Sequence, residues 1–199
     1  SINKKNKYIQ IKNSYIENYL NKLTPNSKKI TYKKYKNLII FPLTTFFETN
    51  RSSLEGEISL YIEYLNEKIN KKVDNLLIKP HPGNIEIKKD LLIKRLEAAN
   101  FSILNNQFQE DKIIKLPLKI IPLELLCSIL IKNTNIKEKD IKLALNSNAT
   151  LSTSYLFPEI KCLDPFGKRL ICKYIKEKFT NGRILQEEIL IKKINQNKR

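Results

Sequence analysis

Short apolar runs alternate with longer segments of helical spacing along most of this 199-residue chain. The run Leu38–Phe41 is closed by Pro42, and the run Leu76–Ile78 is followed by Lys79 and Pro80. A short apolar run that ends at a proline is typical of a strand buried on both faces of a sheet. Because these runs alternate with helical segments, the sequence predicts an α/β fold: a mostly parallel sheet with helices on both faces.

The expected elements divide the chain into three parts. We expect strands at 38–41, 76–78, 101–104, 141–145 and 160–163, and helices at 53–69, 87–99, 122–131, 166–179 and 184–194. Ahead of them, the apolar spacing of 8–23 predicts an amphipathic helix. The predicted parts are a basic N-terminal helix and linker (1–36), a sheet domain (37–164), and basic C-terminal helices that pack on it (165–199).

The net charge of +17 is concentrated at the two ends of the chain. Residues 1–36 carry ten Lys and one Glu, and residues 168–199 carry ten Lys or Arg and three Glu. Most of the 37 basic residues are Lys rather than Arg, which dominates base recognition and bidentate phosphate contacts. We therefore favour a plain solvated surface, with an anionic membrane surface as the main alternative and nucleic acid as the least favoured partner.

Several function classes are excluded by what the sequence lacks. No apolar run reaches the roughly 18 residues that span a bilayer. Cys127, Cys162 and Cys172 show no CxxC spacing and the chain has one His, so no metal site is expected and the cysteines are interpreted as reduced. The four glycines are too scattered for a GxGxxG fingerprint or a phosphate loop, which excludes nicotinamide-dependent enzymes and phosphate-loop NTPases.

The only histidine, His81, directly follows the second predicted strand, within the tetrapeptide Lys79-Pro80-His81-Pro82. In open α/β sheets, ligands bind just beyond the carboxyl ends of the strands. We therefore expect His81 to lie at a ligand site, with Pro82, Gly83 and Asn84 as nearby candidates. The alternative is a structural histidine in a turn stiffened by prolines.

Polar side chains follow two other predicted strands. Thr44 comes after the first strand, and residues 147–154 contain six hydroxyl or amide side chains in eight positions. Hydroxyl groups and free N–H groups at the start of a helix form an anion site. Ser152, Thr153 and Ser154 are therefore candidate phosphate contacts, or else ordinary caps of a short helix that ends near Phe157. A histidine beside such a site could donate a hydrogen bond or a proton to a departing phosphate.

Three motifs together resemble a known family. Lys79–Pro82, Pro122–Leu126 and Ser152-Thr153 are similar to the His-Pro motif, the acidic residue and the Ser-Ser/Thr motif of bacterial GT-B type sialyltransferases and polysialyltransferases. The similarity covers residues 37–179, which would correspond to the second, donor-binding half of those enzymes. It implies a Rossmann-like nucleotide-sugar-binding domain over residues 37–164.

The resemblance also implies roles for individual residues. His81 would contact the phosphate of the CMP leaving group and act as the general acid, while Ser152 and Thr153 would hold the same phosphate. Glu124 would bind the cytidine ribose, a task that suits a carboxylate facing two hydroxyls. Glu124 could equally be a carboxylate that interacts with the dipole at a helix start.

The implied function is that of a glycosyltransferase domain that uses a CMP-activated sugar and a glycan acceptor in surface glycan or capsule synthesis. No metal or other cofactor is expected, and the expected location is cytoplasmic, peripheral at the inner face of the membrane. The alternatives are a basic module that binds an anionic membrane surface or nucleic acid, and a phosphotransferase-like domain that uses a CDP-linked polyol.

One departure from the family limits the expected activity. The family carries an acidic-acidic-Gly motif that supplies the general base, whereas Leu54-Glu55-Gly56 is only an incomplete match. The chain also has no Met, including at position 1. We therefore expect a fragment that lacks an N-terminal acceptor-binding domain and is inactive alone.

Overall fold

The computed structural model describes residues 37–110, 113–114 and 116–197. The predicted helix at 8–23 and the rest of the basic segment 1–36 lie outside the described residues. The described strands and α-helices, in chain order, are β1 (Leu38–Pro42), α1 (Leu54–Lys68), β2 (Asn75–Lys79), α2 (Glu86–Ala98), β3 (Ser102–Ile103), α3 (Asn105–Glu110), α4 (Leu123–Asn133), β4 (Ile141–Ala144), α5 (Asn148–Leu156), β5 (Lys161–Leu163), α6 (Gly167–Tyr174) and α7 (Glu177–Asn197). A short 3-10 helix, Glu138–Asp140, precedes β4.

The five strands form one parallel sheet in the order β3-β2-β1-β4-β5. The chain moves outward from β1 through β2 to β3, then returns across the sheet to place β4 on the other side of β1. This confirms the predicted α/β fold, which is Rossmann-like. In such a sheet the crevice between β1 and β4, where the strand order reverses, is the usual position of a ligand.

The sheet is covered on both faces because its central strand is apolar at every position. Leu38 and Ile40 of β1 pack into a cluster with α3 and α4, while Ile39 and Phe41 pack into a second cluster with α1, α2 and α6. Alternate side chains of a strand point to opposite faces, so a continuous apolar run buries both. The side chains of all four residues are fully buried.

Helix boundaries differ from the expected ones in the last third of the chain. The hydroxyl-rich helix α5 begins at Asn148, where Ser147 and Thr150 form a capping box. α6 ends at Tyr174 because Ile175 is extended, and α7 begins at Glu177, seven residues before the expected start of the last helix at 184. α3 was not expected, and β3 is shorter than predicted.

The C-terminal helices pack on the domain. α6 contacts α1, and α7 contacts α6 and α5. Leu190 and Ile194 of α7 are buried against Leu145 and Leu151. Among the described helices, none is both long and apolar enough to cross a bilayer.

Candidate functional site

A pocket of about 450 Å³ opens at the carboxyl ends of β1, β2 and β4. Its walls come from the loops after these strands, from the first residues of α4 and α5, and from one face of α7. Sequence-predicted site residues that line it are Thr44, His81, Pro82 and Glu124. Gly83, Asn84, Ser152, Thr153 and Ser154 are not among the lining residues.

The ring of His81 is exposed at the pocket and has a defined orientation. The backbone N–H of Gly83 donates to Nδ1 of His81 at 3.0 Å, and the backbone N–H of His81 donates to Oδ1 of Asn84 at 2.7 Å. Since Nδ1 accepts a hydrogen bond, Nε2 carries the proton of the neutral ring. The pKa of His81 is lowered by partial burial and by the positive charges of Lys79 and Lys88. At neutral pH the ring therefore presents an N–H donor rather than a cation.

Lys79, at the end of β2, is a buried cation in the pocket wall with 5% of its surface exposed. Its Nζ donates to the carbonyl oxygens of Pro80 at 2.7 Å and Lys119 at 3.4 Å. Among the ion pairs of the described residues there is none that involves Lys79. Burial lowers its pKa to about 8. Because a buried lysine is normally paired with a charge, this arrangement favours an anionic ligand.

The start of α5 also faces the pocket. The N-cap residue Ser147 and Ala149 line it, and Oγ of Ser147 accepts the N–H of Thr150 at 3.4 Å. The first N–H groups of a helix have no partner within the helix, and the helix dipole places partial positive charge there. Together with Lys79 and His81, this helix start gives the pocket a set of donors suited to a phosphate.

The expected hydroxyl pair does not reach the pocket. Ser152 and Thr153 lie in the second turn of α5, and both donate to the carbonyl oxygen of Ala149, at 3.0 and 2.8 Å. Thr153 is fully buried, and Ser154 donates to the carbonyl oxygen of Leu151 at 2.7 Å. The prediction placed the helix start too late, because the capping box of Ser147 begins the helix at Asn148. Ser147, and not Ser152 or Thr153, is the hydroxyl residue at the start of the helix, where it lines the pocket.

Glu124 lies in the first turn of α4, half-buried in the pocket wall. Its Oε1 accepts the hydroxyl of Ser152 at 2.7 Å. The structure thus brings two predicted residues together, although in direct contact rather than around a ligand. Ser152, which does not line the pocket, orients the carboxylate of Glu124 through this hydrogen bond.

Thr44 and Asn84 tie the loops of the pocket to each other. The hydroxyl of Thr44 donates to Glu57 at 2.8 Å, and its backbone N–H donates to the hydroxyl of Tyr61 at 2.9 Å. Asn84 is buried, and its Nδ2 donates to the carbonyl oxygen of Thr44 at 2.8 Å and to Glu48 at 3.1 Å. These polar groups are committed to the protein, so they position the loop of His81 and do not face a ligand.

A buried charge network, which the sequence did not reveal, supports these loops. Nζ of Lys88 lies 2.9 Å from Glu57 and 2.8 Å from Glu48, and it donates to the carbonyl oxygen of Thr44 at 2.9 Å. Lys88 and Glu57 are fully buried. Glu57 also accepts the backbone N–H of Phe47 at 2.7 Å. The network fixes the loop after β1 to α1 and α2.

Two further lining residues were missed, Arg183 of α7 and Asn146 after β4. Arg183 is 6% exposed, pairs with Glu187 at 2.9 Å, and donates to the carbonyl oxygen of Asn146 at 3.0 Å. Its guanidinium lies over the ring of Phe46. Asn146 was recognisable as the first polar residue after an apolar strand. Arg183 was not, because its position depends on how α7 packs.

Comparison with protein-family models, with curated proteins and with solved structures finds no match for this chain. Within the described residues, no group of three or more His, Cys, Asp or Glu side chains is arranged to hold a metal ion. The site is therefore described by its own chemistry: a pocket with three cations in its wall, Arg51, Lys79 and Arg183, and one carboxylate, Glu124.

Proposed function

We propose that this chain is the donor-binding domain of a sialyltransferase-like glycosyltransferase that binds a CMP-activated sugar through its phosphate. The observation that carries the proposal is Lys79, a buried cation without a described carboxylate partner, beside His81 and the start of α5. This set lies at the crevice where the strand order of a Rossmann-like sheet reverses, the usual position of a bound nucleotide.

The proposed chemistry is the release of CMP as a leaving group. As the bond from the sugar to the phosphate breaks, negative charge grows on the phosphate oxygens. Lys79, the N–H groups at the start of α5 and Nε2–H of His81 would stabilise this charge, and such stabilisation lowers the barrier. The phosphate of a bound donor also favours the imidazolium form of His81, which would take up a proton from solvent before the bond breaks. The imidazolium would donate its Nε2 proton to the departing phosphate and return to the neutral ring.

Glu124 fits the proposed recognition of the ribose. Its carboxylate lies in the pocket wall, and the hydroxyl of Ser152 occupies only one of its oxygens. An ionised carboxylate only accepts hydrogen bonds, which suits a ribose with two hydroxyls. We assign phosphate contact to the start of α5 at Ser147 instead of to Ser152 and Thr153, since the hydroxyls of those two bond within the protein.

The proposed activity is incomplete in this chain. No acidic-acidic-Gly triplet occurs in the sequence, so the general base of the family has no counterpart here. We propose that the chain binds the donor and its leaving group, that the base comes from an acceptor-binding domain, and that surface glycans are the acceptors.

Calorimetric titration of CMP and CDP tests the proposal. We expect CMP to bind the wild type, and His81→Ala and Lys79→Met to weaken binding by roughly tenfold or more, as the loss of hydrogen bonds to a charged group predicts. Ser154→Ala, outside the pocket, is the matched control and should bind as the wild type does. Absence of CMP binding, or equal affinity in the His81 and Lys79 variants, would refute the proposal. A strong preference for CDP would point to a CDP-linked polyol donor.

A further inference from the structure

We infer that Oδ1 of Asn146 is a recognition group that accepts a hydrogen bond from a donor on the ligand. The inference rests on the proposed function and extends it, because it defines what the ligand must carry besides its phosphate. Asn146 directly follows the apolar stretch that contains β4 and lines the pocket between β1 and β4. It is 2% exposed, so both ends of its amide are removed from bulk water.

The orientation of the amide follows from its neighbour. One end of the Asn146 side chain contacts the carbonyl oxygen of Pro42, at the end of β1. A carbonyl oxygen only accepts hydrogen bonds, so the NH₂ group must face Pro42 and Oδ1 must point away from it. In the part of the chain that the structure describes, this Oδ1 has no hydrogen-bond partner.

Protein donors close to Asn146 are engaged elsewhere. The guanidinium of Arg183 donates to the backbone oxygen of Asn146, to Glu187 at 3.0 Å and to Gln186 at 3.2 Å. A buried acceptor without a partner destabilises the protein, because it has lost its hydrogen bonds to water and gained none in return. A ligand that supplies an N–H or O–H group at this position removes this destabilisation when it binds.

The requirement for a donor separates two classes of ligand. Lys79 and the start of α5 attract anions, but an anion such as sulfate offers only acceptors to Asn146. A phosphate ester with a hydroxyl or amino group satisfies both demands in one molecule. A nucleotide such as CMP, with two ribose hydroxyls and a base amino group, belongs to this second class.

Parallel titrations with CMP and sulfate test the inference, with the Cε1 proton of His81 as the NMR reporter. The chain has a single histidine, so this signal is unambiguous. We expect Asn146→Ala to weaken CMP binding by about threefold to tenfold, the size of one neutral hydrogen bond, and to leave sulfate binding within about twofold. An equal loss for both ligands would mean that Asn146 only shapes the pocket, and no loss for either would mean that it contacts neither; both results overturn the inference.

A ligand series identifies the donor and separates the two hypotheses. The 2′-deoxy and 3′-deoxy forms of CMP, and the analogue without the base amino group, each remove one donor. One of them should bind the wild type more weakly than CMP does and lose no further affinity in Asn146→Ala. If every analogue loses as much as CMP in the variant, the inference fails while CMP binding stands. If the wild type does not bind CMP, the proposed function fails first. Asn146→Ser replaces the alanine variant if the latter does not fold.

Discussion

The ionisation of His81 reports directly on the charge of the pocket. In the free protein, burial and the charges of Lys79 and Lys88 lower the pKa of His81 from its ordinary value. A bound phosphate reverses this effect because a nearby anion stabilises the imidazolium. We expect the pKa, measured by NMR titration, to lie below about 6.5 without ligand and to rise when CMP is added. CMP affinity should therefore increase as the pH falls through this pKa. A pKa that CMP leaves unchanged would contradict phosphate contact.

Lys79 serves the site at the expense of stability. Its pKa of about 8 in the folded protein lies below that of an unfolded lysine. Between these two values the unfolded chain binds more protons, so the contribution of Lys79 to the free energy of unfolding rises with pH from about 8 to 10.5. We expect Lys79→Met to be more stable than the wild type at pH 7, with a difference that shrinks toward pH 10. Urea denaturation at several pH values measures it, and a variant that is less stable at pH 7 would contradict the expectation.

Lys88 has the opposite role, since its charge is paired. Removing it leaves the fully buried Glu57 without its cation. We expect Lys88→Met to lower the free energy of unfolding by about 3–5 kcal/mol in urea denaturation. Lys89→Met is the control on the same helix: Lys89 pairs with the exposed Glu86, and such pairs contribute less than about 1 kcal/mol. Equal losses in the two variants would show that the buried network does not stabilise the fold.

At the scale of elements, the start of α5 is a capped helix end and the proposed phosphate contact. Ser147→Ala removes the N-cap hydroxyl, which stabilises a helix by about 1 kcal/mol. We expect that loss in thermal denaturation, together with CMP binding that is weaker by about threefold or more. Thr153→Val, within the same helix, removes a hydroxyl that bonds to Ala149 and should leave CMP affinity unchanged. If Thr153→Val weakened CMP binding and Ser147→Ala did not, the phosphate would contact Ser152 and Thr153, as the sequence predicted.

Elements buried on both faces were predictable, and helix starts in polar sequence were not. β1, β2 and β4 were predicted from short, mainly apolar runs that alternate with helical segments. Residues 147–154 offer several possible N-caps, and the capping box of Ser147 with Thr150 prevails over the later hydroxyls. The two-residue β3 is an edge strand that pairs only with β2, so its length depends on tertiary packing.

The same limit applies to the site. The rule that ligands bind at strand ends predicted from the sequence that Thr44 and His81 lie at a ligand site, and both line the pocket. Lys79 lies in the same tetrapeptide as His81, but its burial could not be predicted from the sequence. The exposure of a residue at a strand end depends on how the neighbouring loops pack. Arg183 is distant in sequence and reaches the pocket only through the packing of α7.

For the molecule as a whole, Arg183 couples the C-terminal helix to the sheet. It lies between Glu187 of its own helix and the backbone of Asn146, at the strand end that forms the pocket. The basic C-terminal segment is thus part of the folded domain near the site. Removing the guanidinium should disturb stability and CMP binding together.

We expect Arg183→Met to lower the free energy of unfolding by about 3 kcal/mol at pH 7, because Glu187 would stay buried without its cation. Burial already raises the pKa of Glu187, and loss of Arg183 would raise it further. A folded pKa above the unfolded one makes stability fall as the pH rises between the two values, so the deficit should be smaller near pH 4.5 than at pH 7. Arg169→Met, which removes an exposed arginine paired with Glu63 and Glu67, is the control and should show little loss at either pH. A deficit independent of pH would mean that Arg183 acts through packing on Phe46 rather than through its charge.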